Sequence, residues 1–440
     1  MLTGISNASE SNKLSRSLII ESPKRKSHRQ SGWNDFFPYY AGFPEAFART
    51  LIQSADIPTG GVIFDPWNGS GTTTYAATQL GYSSIGLDIN LVMALIAKSR
   101  NLQTSEADSI IPQAKSLIKN LARLKRNIEP KDPLRQWFAS ETASDIRNLE
   151  RRIRTRLISD AALIDNCLDL VSCFAATFYV ALFTTCRNLT KRFKSSNPTW
   201  LRVAPNEQSK IGISTSEFTG AFLLQAENMA RELMTNPAST NPPPRAVIEL
   251  GNTTEFNQRD FADFVLTSPP YCTRIDYTAA TRVELAVISP LSSTSRDELS
   301  REMIGSIKVP YNKIEPQKEW GETCLAFLEK LTSHGSKASS GYYYKTHLDY
   351  FDKMSRSMIN IKNSLKTKAT AVFVVQDSYY KDIHNDVPRI ISEMAGNSGL
   401  ELTRREDFLS NNPFSGINPK SKKYRINSTA TESVLCLINK

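Results

Sequence analysis

The stretch VIFDPWNGSGTTT, residues 62–74, decides the fold class of this chain. Val62–Phe64 predicts a short buried strand, and Asp65 stands where that strand ends. Asn68–Gly71 predicts a turn whose glycines tolerate positive φ, and Thr74–Leu80 predicts the helix after it. A strand, a glycine turn and a helix in this order typify the loop for a nucleotide-like cofactor in doubly wound α/β proteins. No lysine follows the last glycine, which disfavours a P-loop.

A second strand is predicted at Ser84–Leu87, and Asp88 stands at its end. An acidic residue about 20 positions beyond the glycine turn suits the hydroxyls of a ribose. The alternative is a plain crossover between strands, in which Asp88 only caps the next helix.

The run ADFVLTSPPYCTRIDY, residues 262–277, predicts a second kind of loop. Asp263–Leu266 reads as a buried strand, and Ser268–Tyr271 leaves its end. Two prolines fix φ and remove two N–H donors, so the loop is stiff and rich in acceptors. Acceptors beside an aromatic ring suit a planar group that carries an amine. Taken alone, such a run is more often a proline turn with a core tyrosine. Its presence in the same chain as the glycine turn favours a substrate-binding loop.

Together the two runs resemble the motifs of amino-directed DNA methyltransferases, which use S-adenosylmethionine to methylate an exocyclic base amine. The cofactor motif of that family is present as Asp65-Pro66-Trp67-Asn68-Gly69-Ser70-Gly71-Thr72-Thr73, with Trp67 in place of the usual Phe. Its catalytic motif is present as Ser268-Pro269-Pro270-Tyr271. The resemblance extends over residues 33–105 and 245–440, including an aromatic segment at Phe36–Ile52 and a strand that ends in Gly251-Asn252, where the family usually has Gly-Asp.

The resemblance implies that S-adenosylmethionine is the cofactor, with Asp65 on its ammonium group and Asp88 on its ribose. At position 252, an Asn carbonyl would take the place of the family's carboxylate toward the adenine amine. The expected cofactor-binding residues are Phe37, Tyr39, Asp65, Pro66, Trp67, Gly69, Gly71, Thr72, Thr73, Asp88 and Asn252.

The resemblance also implies direct methyl transfer to an amine, with Ser268, Pro269, Pro270 and Tyr271 as the catalytic residues. The target nucleotide must leave the duplex stack, and Tyr271 is the expected stacking platform. Methylation of a ring carbon would need a cysteine nucleophile, but the chain has no Pro-Cys pair and Cys272 reads as a packing residue. Serine at the first motif position favours cytosine N4 over adenine N6. An RNA base methyltransferase and a non-catalytic DNA-binding protein remain as alternatives.

Composition agrees with a polyanionic partner. The 440 residues include 54 Lys and Arg against 44 Asp and Glu, which gives a net charge of +10. None of the six cysteines forms a CxxC pair and the four histidines have no metal-ligand spacing, so no metal and a cytoplasmic location are expected. The uncharged stretch Leu170–Thr185 is too short for a membrane span and predicts a buried helix.

The resemblance implies a seven-stranded, mostly parallel, doubly wound α/β sheet with one reversed strand at Ser433–Lys440. We expect a basic arm at 1–32, disordered or loosely docked, and the cofactor half of the core at 33–105. A helical insertion is expected at 106–244, and the catalytic half at 245–440 with a second insertion at about 291–345. Either insertion is a candidate for reading duplex DNA, and a cognate restriction endonuclease encoded nearby fits the resemblance. The candidate DNA contacts are Arg147, Arg151, Arg154, Lys191 and Arg192.

Overall fold

The computed structural model describes residues 17–24, 33, 37, 42–158, 168, 171–195, 201–235, 245–273, 276–309, 314–335, 339–410 and 430–440. Within these residues the helices are α1 (Glu45–Ser54), α2 (Thr72–Gln79), α3 (Leu91–Arg100), α4 (Ala107–Ile118), α5 (Ser140–Leu157), α6 (Cys173–Leu189), α7 (Thr215–Thr235), α8 (Tyr277–Ala280), α9 (Arg282–Val287), α10 (Arg296–Glu302), α11 (Glu322–Ser333), α12 (Tyr344–Ser364) and α13 (Val387–Asn397). The strands are β1 (Val62–Asp65), β2 (Ser83–Asp88), β3 (Ala246–Leu250), β4 (Ala262–Thr267), β5 (Leu365–Gln376), β6 (Ser378–Tyr380), β7 (Ile383–Asn385), β8 (Leu400–Ser410) and β9 (Ala430–Asn439).

Seven strands form one sheet in the order β3-β2-β1-β4-β5-β9-β8. Strands β1 to β5 pair in parallel, whereas β9 runs antiparallel to both of its neighbours, β5 and β8. The predicted mostly parallel sheet with one reversed strand is therefore confirmed. The reversed strand begins at Ala430, before the predicted Ser433.

Alternation along the central strands sends side chains to two apolar layers. Ile63 and Phe264 pack on the face that α1 and α2 cover, and Phe64 and Val265 pack on the face that α12 and α13 cover. Because both faces are apolar, the sheet is buried between two helical layers, which is the doubly wound arrangement predicted.

The described residues between α3 and β3 form helices that pack on α3. Helix α5, Ser140–Leu157, carries the arginine-rich stretch of this insertion. The apolar stretch predicted as a buried helix forms α6, whose residues from Ala175 to Phe183 are buried in the core shared with α3, α5 and α7. No helix within the described residues is long and apolar enough to cross a membrane.

Part of the predicted basic arm lies against the sheet. Leu18 is buried against α1, and its carbonyl accepts a hydrogen bond from Arg404 on β8 at 2.8 Å. The Ile19 amide donates to the Ser54 hydroxyl at 2.9 Å. Residues 17–24 are therefore packed against the sheet and α1. Most of the predicted arm lies outside the described residues.

Candidate functional site

One cleft lies across the carboxyl ends of β1, β2, β3 and β4. It holds about 1010 Å³ of empty space, counting its open mouth. Residues 65–70, 88–90, 251–253 and 268–271 all contribute to its lining. The two runs that the sequence analysis singled out, nearly 200 positions apart, therefore meet in one site.

Asp65 is the last residue of β1 and is 4% exposed. Its Oδ1 accepts hydrogen bonds from the Thr267 hydroxyl at 2.6 Å and from the Trp67 amide at 3.2 Å. Burial raises the pKa of Asp65 to about 6, although the hydroxyls of Thr267 and Thr73 and the Trp67 amide oppose that shift. When ionised, this carboxylate is a strong acceptor for a cationic group.

Asp88 is the last residue of β2 and holds the glycine turn in place. Its two carboxylate oxygens accept the amides of Gly69 at 2.9 Å and Asn90 at 2.8 Å. Burial raises the pKa of Asp88 to about 6, and the charge of Asp65 adds to the shift while the two amides oppose it. Each oxygen keeps a further lone pair, so the carboxylate can also accept from a pair of hydroxyls.

The glycine turn is shaped by close packing against α3. Gly71 has φ of +85°, and a Cβ there would come within 2.8 Å of the Ala97 Cβ and 2.9 Å of its Cα. No side chain fits without moving the helix backbone. Gly71 therefore shapes the turn but does not line the cleft, whereas Gly69 does line it.

Of the remaining residues of the predicted cofactor motif, some line the cleft and others hold the turn against its neighbours. Pro66, Trp67 and Thr72 line the cleft. Thr73 instead donates to the Leu266 carbonyl at 3.1 Å and so joins the turn to strand β4. The Pro66 carbonyl accepts the Thr253 hydroxyl at 2.6 Å, which joins the turn to the segment after β3.

The Ser268–Tyr271 loop is fixed by contacts from several elements. The Ser268 hydroxyl donates to the Val374 carbonyl of β5 at 3.0 Å. The Pro270 carbonyl accepts the Tyr350 hydroxyl at 2.9 Å. Because the Ser268 proton is directed into the sheet, the lone pairs of its Oγ are available as acceptors.

Hydrogen bonds hold both the backbone and the side chain of Tyr271. Its amide donates to the Tyr277 hydroxyl at 3.0 Å, and its own hydroxyl donates to Glu432 on β9 at 3.2 Å. Burial and the charge of Glu432 raise the pKa of Tyr271 well above its ordinary value, so the ring stays neutral. Tyr277 also lines the cleft, and burial raises its pKa to about 12. Tyr277 closes the second run, and nothing in the sequence around it indicates this contact.

Cys272 follows this loop but faces inward. It is 6% exposed, and its Sγ accepts a hydrogen bond from the Asn385 amide group at 3.4 Å. Burial raises the pKa of the Cys272 thiol to about 12, which disfavours the nucleophilic thiolate. Its surroundings agree with a packing residue.

A segment of the second insertion closes one side of the cleft. Glu302, Met303 and Ile304 line it, and Gly305 has φ of +77° with its Cα so placed that a Cβ would lie 2.9 Å from the Tyr271 carbonyl oxygen. Lys353 on α12 holds the segment from behind. Its Nζ donates to the carbonyls of Arg301 and Met303 and pairs with Asp349 at 3.0 Å.

The aromatic segment before β1 contributes differently from the prediction. Phe37 is 1% exposed and packs in the core of the helical insertion, with the Arg187 guanidinium 4.3 Å from its ring centroid. It is not part of the cleft lining, where Gly42 and Phe43 stand instead. The position of Phe37 therefore does not agree with its prediction as a cofactor contact, and Tyr39 lies outside the described residues.

The prediction that Arg147 contacts DNA is wrong, because this side chain lies inside the protein. It is 8% exposed, and its guanidinium pairs with Asp132 at 3.0 Å and donates to the carbonyls of Ala286 and Val287 at the end of α9. These contacts leave no surface to offer a phosphate, so Arg147 joins α5 to α9 rather than contacting DNA.

The other candidate DNA contacts differ in how freely they reach solvent. Arg154 pairs with Glu150, a fully buried carboxylate, at 3.2 Å. Arg192 donates to the Ser209 carbonyl at 2.6 Å. Arg151 is exposed and its guanidinium bonds only to Asn148 on its own helix, and the Lys191 side chain is exposed with no polar partner among the described residues. The neighbouring arginines at 152 and 156 donate to carbonyls at the end of α4, so much of this basic cluster caps a helix.

Comparison with known proteins agrees with the cleft. Residues 7–99 match the N6/N4 methyltransferase family model, described as DNA methylase. The matched part includes Asp65 and Asp88 but ends well before Ser268.

Several type II methyltransferases are also similar to this chain. M.BsoBI of Geobacillus stearothermophilus is 23% identical over 283 residues, covering 60% of this chain and 54% of M.BsoBI. M.SmaI of Serratia marcescens is 36% identical over 83 residues, covering 18% of this chain and 28% of M.SmaI. M.AvaI, from Nostoc sp. and Anabaena variabilis, is 24% identical over 431 residues, covering 88% of this chain and 82% of M.AvaI. The chain thus spans about half the length of M.BsoBI, and less of M.SmaI. The family model and these relatives support an amino-directed DNA methyltransferase.

Proposed function

We propose that this chain transfers a methyl group from S-adenosylmethionine to the exocyclic amine of a base flipped out of duplex DNA, with cytosine N4 as the favoured target. The observation that carries the proposal is the meeting of the Asp65 and Asp88 carboxylates with the Ser268–Tyr271 loop in one cleft. The matching family model, described as DNA methylase, supports a DNA substrate, and a restriction endonuclease encoded nearby is part of the proposal.

The donor and acceptor set of the cleft fits S-adenosylmethionine. Asp65 would hold its ammonium group and Asp88 its ribose hydroxyls, because each carboxylate ends a parallel strand that faces the cleft. Pro66, Trp67, Gly69, Thr72 and Asn252 would complete the cofactor surface from the lining. When bound, the cofactor supplies an electrophilic methyl group on a positively charged sulfur.

The loop residues supply what an amine needs in order to react. The lone pair of an exocyclic base amine is delocalised into the ring, which makes it a poor nucleophile. Acceptors at the Ser268 Oγ and the Pro269 carbonyl would hold its two N–H groups and favour a pyramidal nitrogen with its lone pair toward the methyl group. Tyr271, held by Glu432, would stack on the flipped base.

The test of this proposal is the DNA of cells that express the chain. Nucleoside analysis and sequencing of modified bases should find N4-methylcytosine within one recognition sequence, and no modification in cells that express Ser268→Ala. N6-methyladenine at one sequence would move the target to adenine. Unmodified DNA despite abundant folded protein would contradict the proposal.

The raised pKa values of the two aspartates predict opposite effects of pH on binding and on folding. Affinity for S-adenosylmethionine should fall as the pH drops below about 6, by up to tenfold per pH unit for each carboxylate that must be ionised. The pH dependence of folding stability has the opposite sign. Because the pKa of Asp65 rises from 3.8 in the unfolded chain to about 6, its contribution to stability is present below 3.8 and is lost as the pH rises through 6.

Asp65→Asn tests that sign, since an amide imitates the neutral acid. The apo variant should unfold at a higher temperature than the wild type at pH 7.5, and the difference should shrink as the pH falls from 6 to 4. Calorimetric titration should show weaker cofactor binding by the same variant. Equal melting temperatures at all pH values would contradict the assignment of a destabilising ionised Asp65.

The exposed basic side chains of the helical insertion lead us to expect a specific effect of salt on DNA binding. Replacing Arg151 and Lys191 with Gln should weaken binding to cognate and random duplexes alike, because phosphate contacts carry no sequence information. The slope of log affinity against log salt should flatten by about 0.9 for each phosphate that the variant no longer neutralises. Fluorescence anisotropy over a range of salt concentrations measures both effects.

A charge-matched control is available at the end of the sheet opposite the cleft, where the parallel strands begin. Lys366, at the start of β5, and Lys440, after β9, are exposed there, and replacing both with Gln should leave the salt slope unchanged. If the Arg151 and Lys191 variant keeps the wild-type slope, the helical insertion only covers the sheet. The second insertion, with Arg296 and Lys308, would then be the better candidate for the DNA-facing surface.

A further inference from the structure

The Tyr277 hydroxyl is a polar group of the cleft that the proposed function leaves without a role. Tyr277 is the first residue of α8 and lines the cleft together with the Ser268–Tyr271 loop. Its hydroxyl oxygen accepts a hydrogen bond from the Tyr271 amide at 3.0 Å. This hydroxyl is therefore fixed against the backbone two residues beyond Pro269, whose carbonyl is a proposed acceptor for the target amine.

The hydrogen bond from Tyr271 uses a lone pair of the phenol and leaves the phenol's own hydrogen unused. A tyrosine hydroxyl can donate as well as accept. The part of the chain that the structure describes offers no acceptor for the hydrogen of Tyr277. Burial raises the pKa of Tyr277 to about 12, although the Tyr271 amide opposes that shift, so the oxygen keeps its hydrogen at neutral pH. The cleft therefore contains a hydrogen-bond donor beside the loop.

The backbone of Tyr277 is held by its neighbour Asp276. The Asp276 Oδ1 accepts the Ala279 amide at 3.1 Å, and its Oδ2 pairs with Arg296 of α10 at 3.3 Å. The hydroxyl at the other end of the side chain is held by the Tyr271 amide. Because both ends of the residue are held, the donor is presented at one place in the cleft before any substrate binds.

A flipped base has one acceptor next to the carbon that carries its reactive amine. This acceptor is N3 in cytosine and N1 in adenine, whereas the corresponding nitrogen of thymine or guanine carries a hydrogen. Enzymes that modify flipped bases read this Watson–Crick edge through hydrogen bonds.

We propose that the Tyr277 hydroxyl donates to the ring nitrogen next to the target amine, so that the site accepts cytosine or adenine and rejects thymine and guanine. The contact orients the base and contributes to its binding, while Ser268 and Pro269 act on the amine. This inference rests on the proposed function.

Duplexes with and without that ring nitrogen isolate the contact. Both carry the recognition sequence found in expressing cells. One has the natural target base, and the other has the analogue with a C–H group in place of the ring nitrogen, which is 3-deazacytosine for cytosine or 1-deazaadenine for adenine. Fluorescence anisotropy with S-adenosylhomocysteine present measures the affinity for each duplex.

Tyr277→Phe should weaken binding of the natural duplex about two- to tenfold more than binding of the analogue duplex, the loss typical of one hydrogen bond. The variant also removes the acceptor of the Tyr271 amide, but that change acts on both duplexes and cancels in the comparison. The effect of the analogue on base pairing is the same for both proteins and cancels as well.

Tyr350→Phe is the matched control. The Tyr350 hydroxyl also holds the loop, by donating to the Pro270 carbonyl at 2.9 Å, but Tyr350 does not line the cleft. This variant should change the affinity for both duplexes by the same factor. A folded Tyr277→Phe protein that weakens binding of both duplexes equally would overturn this inference alone. Absence of methyl transfer to the natural duplex by the wild type would overturn the proposed function, and this inference with it.

Discussion

Ser268→Ala should lower the rate of methyl transfer by roughly 10²–10³-fold and leave affinity for S-adenosylmethionine nearly unchanged. The Ser268 Oγ directs its proton to Val374, so the substitution removes an acceptor that faces the cleft without removing a cofactor ligand. Single-turnover kinetics and calorimetry on the same preparation separate the two effects. A parallel loss of cofactor affinity would mean that Ser268 supports the cofactor site instead.

Tyr271→Ala should act through the target base. Stacking of a base on an aromatic side chain contributes about 1–3 kcal/mol, so turnover and affinity for DNA should fall together. Tyr271→Phe keeps the ring and removes only the hydrogen bond to Glu432, so it should retain most of the activity.

Cys272→Ala is the control for both loop variants. The thiol is buried and its pKa is raised to about 12, so the variant should remain active. A folded but inactive Cys272→Ala protein would contradict direct transfer to an amine.

Asp88→Ala should give the second large effect, a loss of about 1.5–3 kcal/mol in S-adenosylmethionine binding. The variant lacks the charge-assisted hydrogen bonds to the ribose, and also the acceptors that hold the Gly69 and Asn90 amides. Calorimetry measures the change in affinity, and circular dichroism checks the fold.

Asp56→Ala serves as the control, because Asp56 is an exposed aspartate that does not line the cleft. Its affinity should equal that of the wild type. Wild-type affinity in a folded Asp88→Ala protein would contradict the assignment of Asp88 to the cofactor.

The sheet could be predicted because its signals are local. A short apolar strand, a glycine turn and an acidic residue at the strand end lie within residues 62–88, and the structure confirms the strands on both sides of the turn. The rigid loop Ser268–Tyr271 was predictable for the same reason, since its two prolines fix φ.

The lining of the cleft beyond these motifs depends on contacts between distant segments. Glu302 lines the cleft in a segment whose carbonyls at Arg301 and Met303 accept from Lys353, and Lys353 pairs with Asp349 on a helix some fifty positions later. Nothing in the sequence around Glu302 indicates this contact. Tyr277 is a similar case, because its role comes from the hydrogen bond between its hydroxyl and the Tyr271 amide.

For the basic residues, the local pattern predicted more exposed arginines than the structure has. Five arginines within ten residues indicate a phosphate-binding helix, yet Arg147 pairs with Asp132 inside the protein and Arg152 caps α4. A helix has several faces, and a cluster along the sequence distributes its charges over all of them. Only burial distinguishes a structural arginine from one that can reach DNA.

The most direct measurement of the central claim is methyl transfer by the purified chain from tritiated S-adenosylmethionine to duplex DNA and, separately, to RNA. The nucleosides of the labelled product should then be separated. We expect label in the duplex, recovered as N4-methylcytosine, none in RNA, and none with Ser268→Ala. Label confined to RNA, or no transfer to any duplex by folded protein that binds the cofactor, would contradict the account.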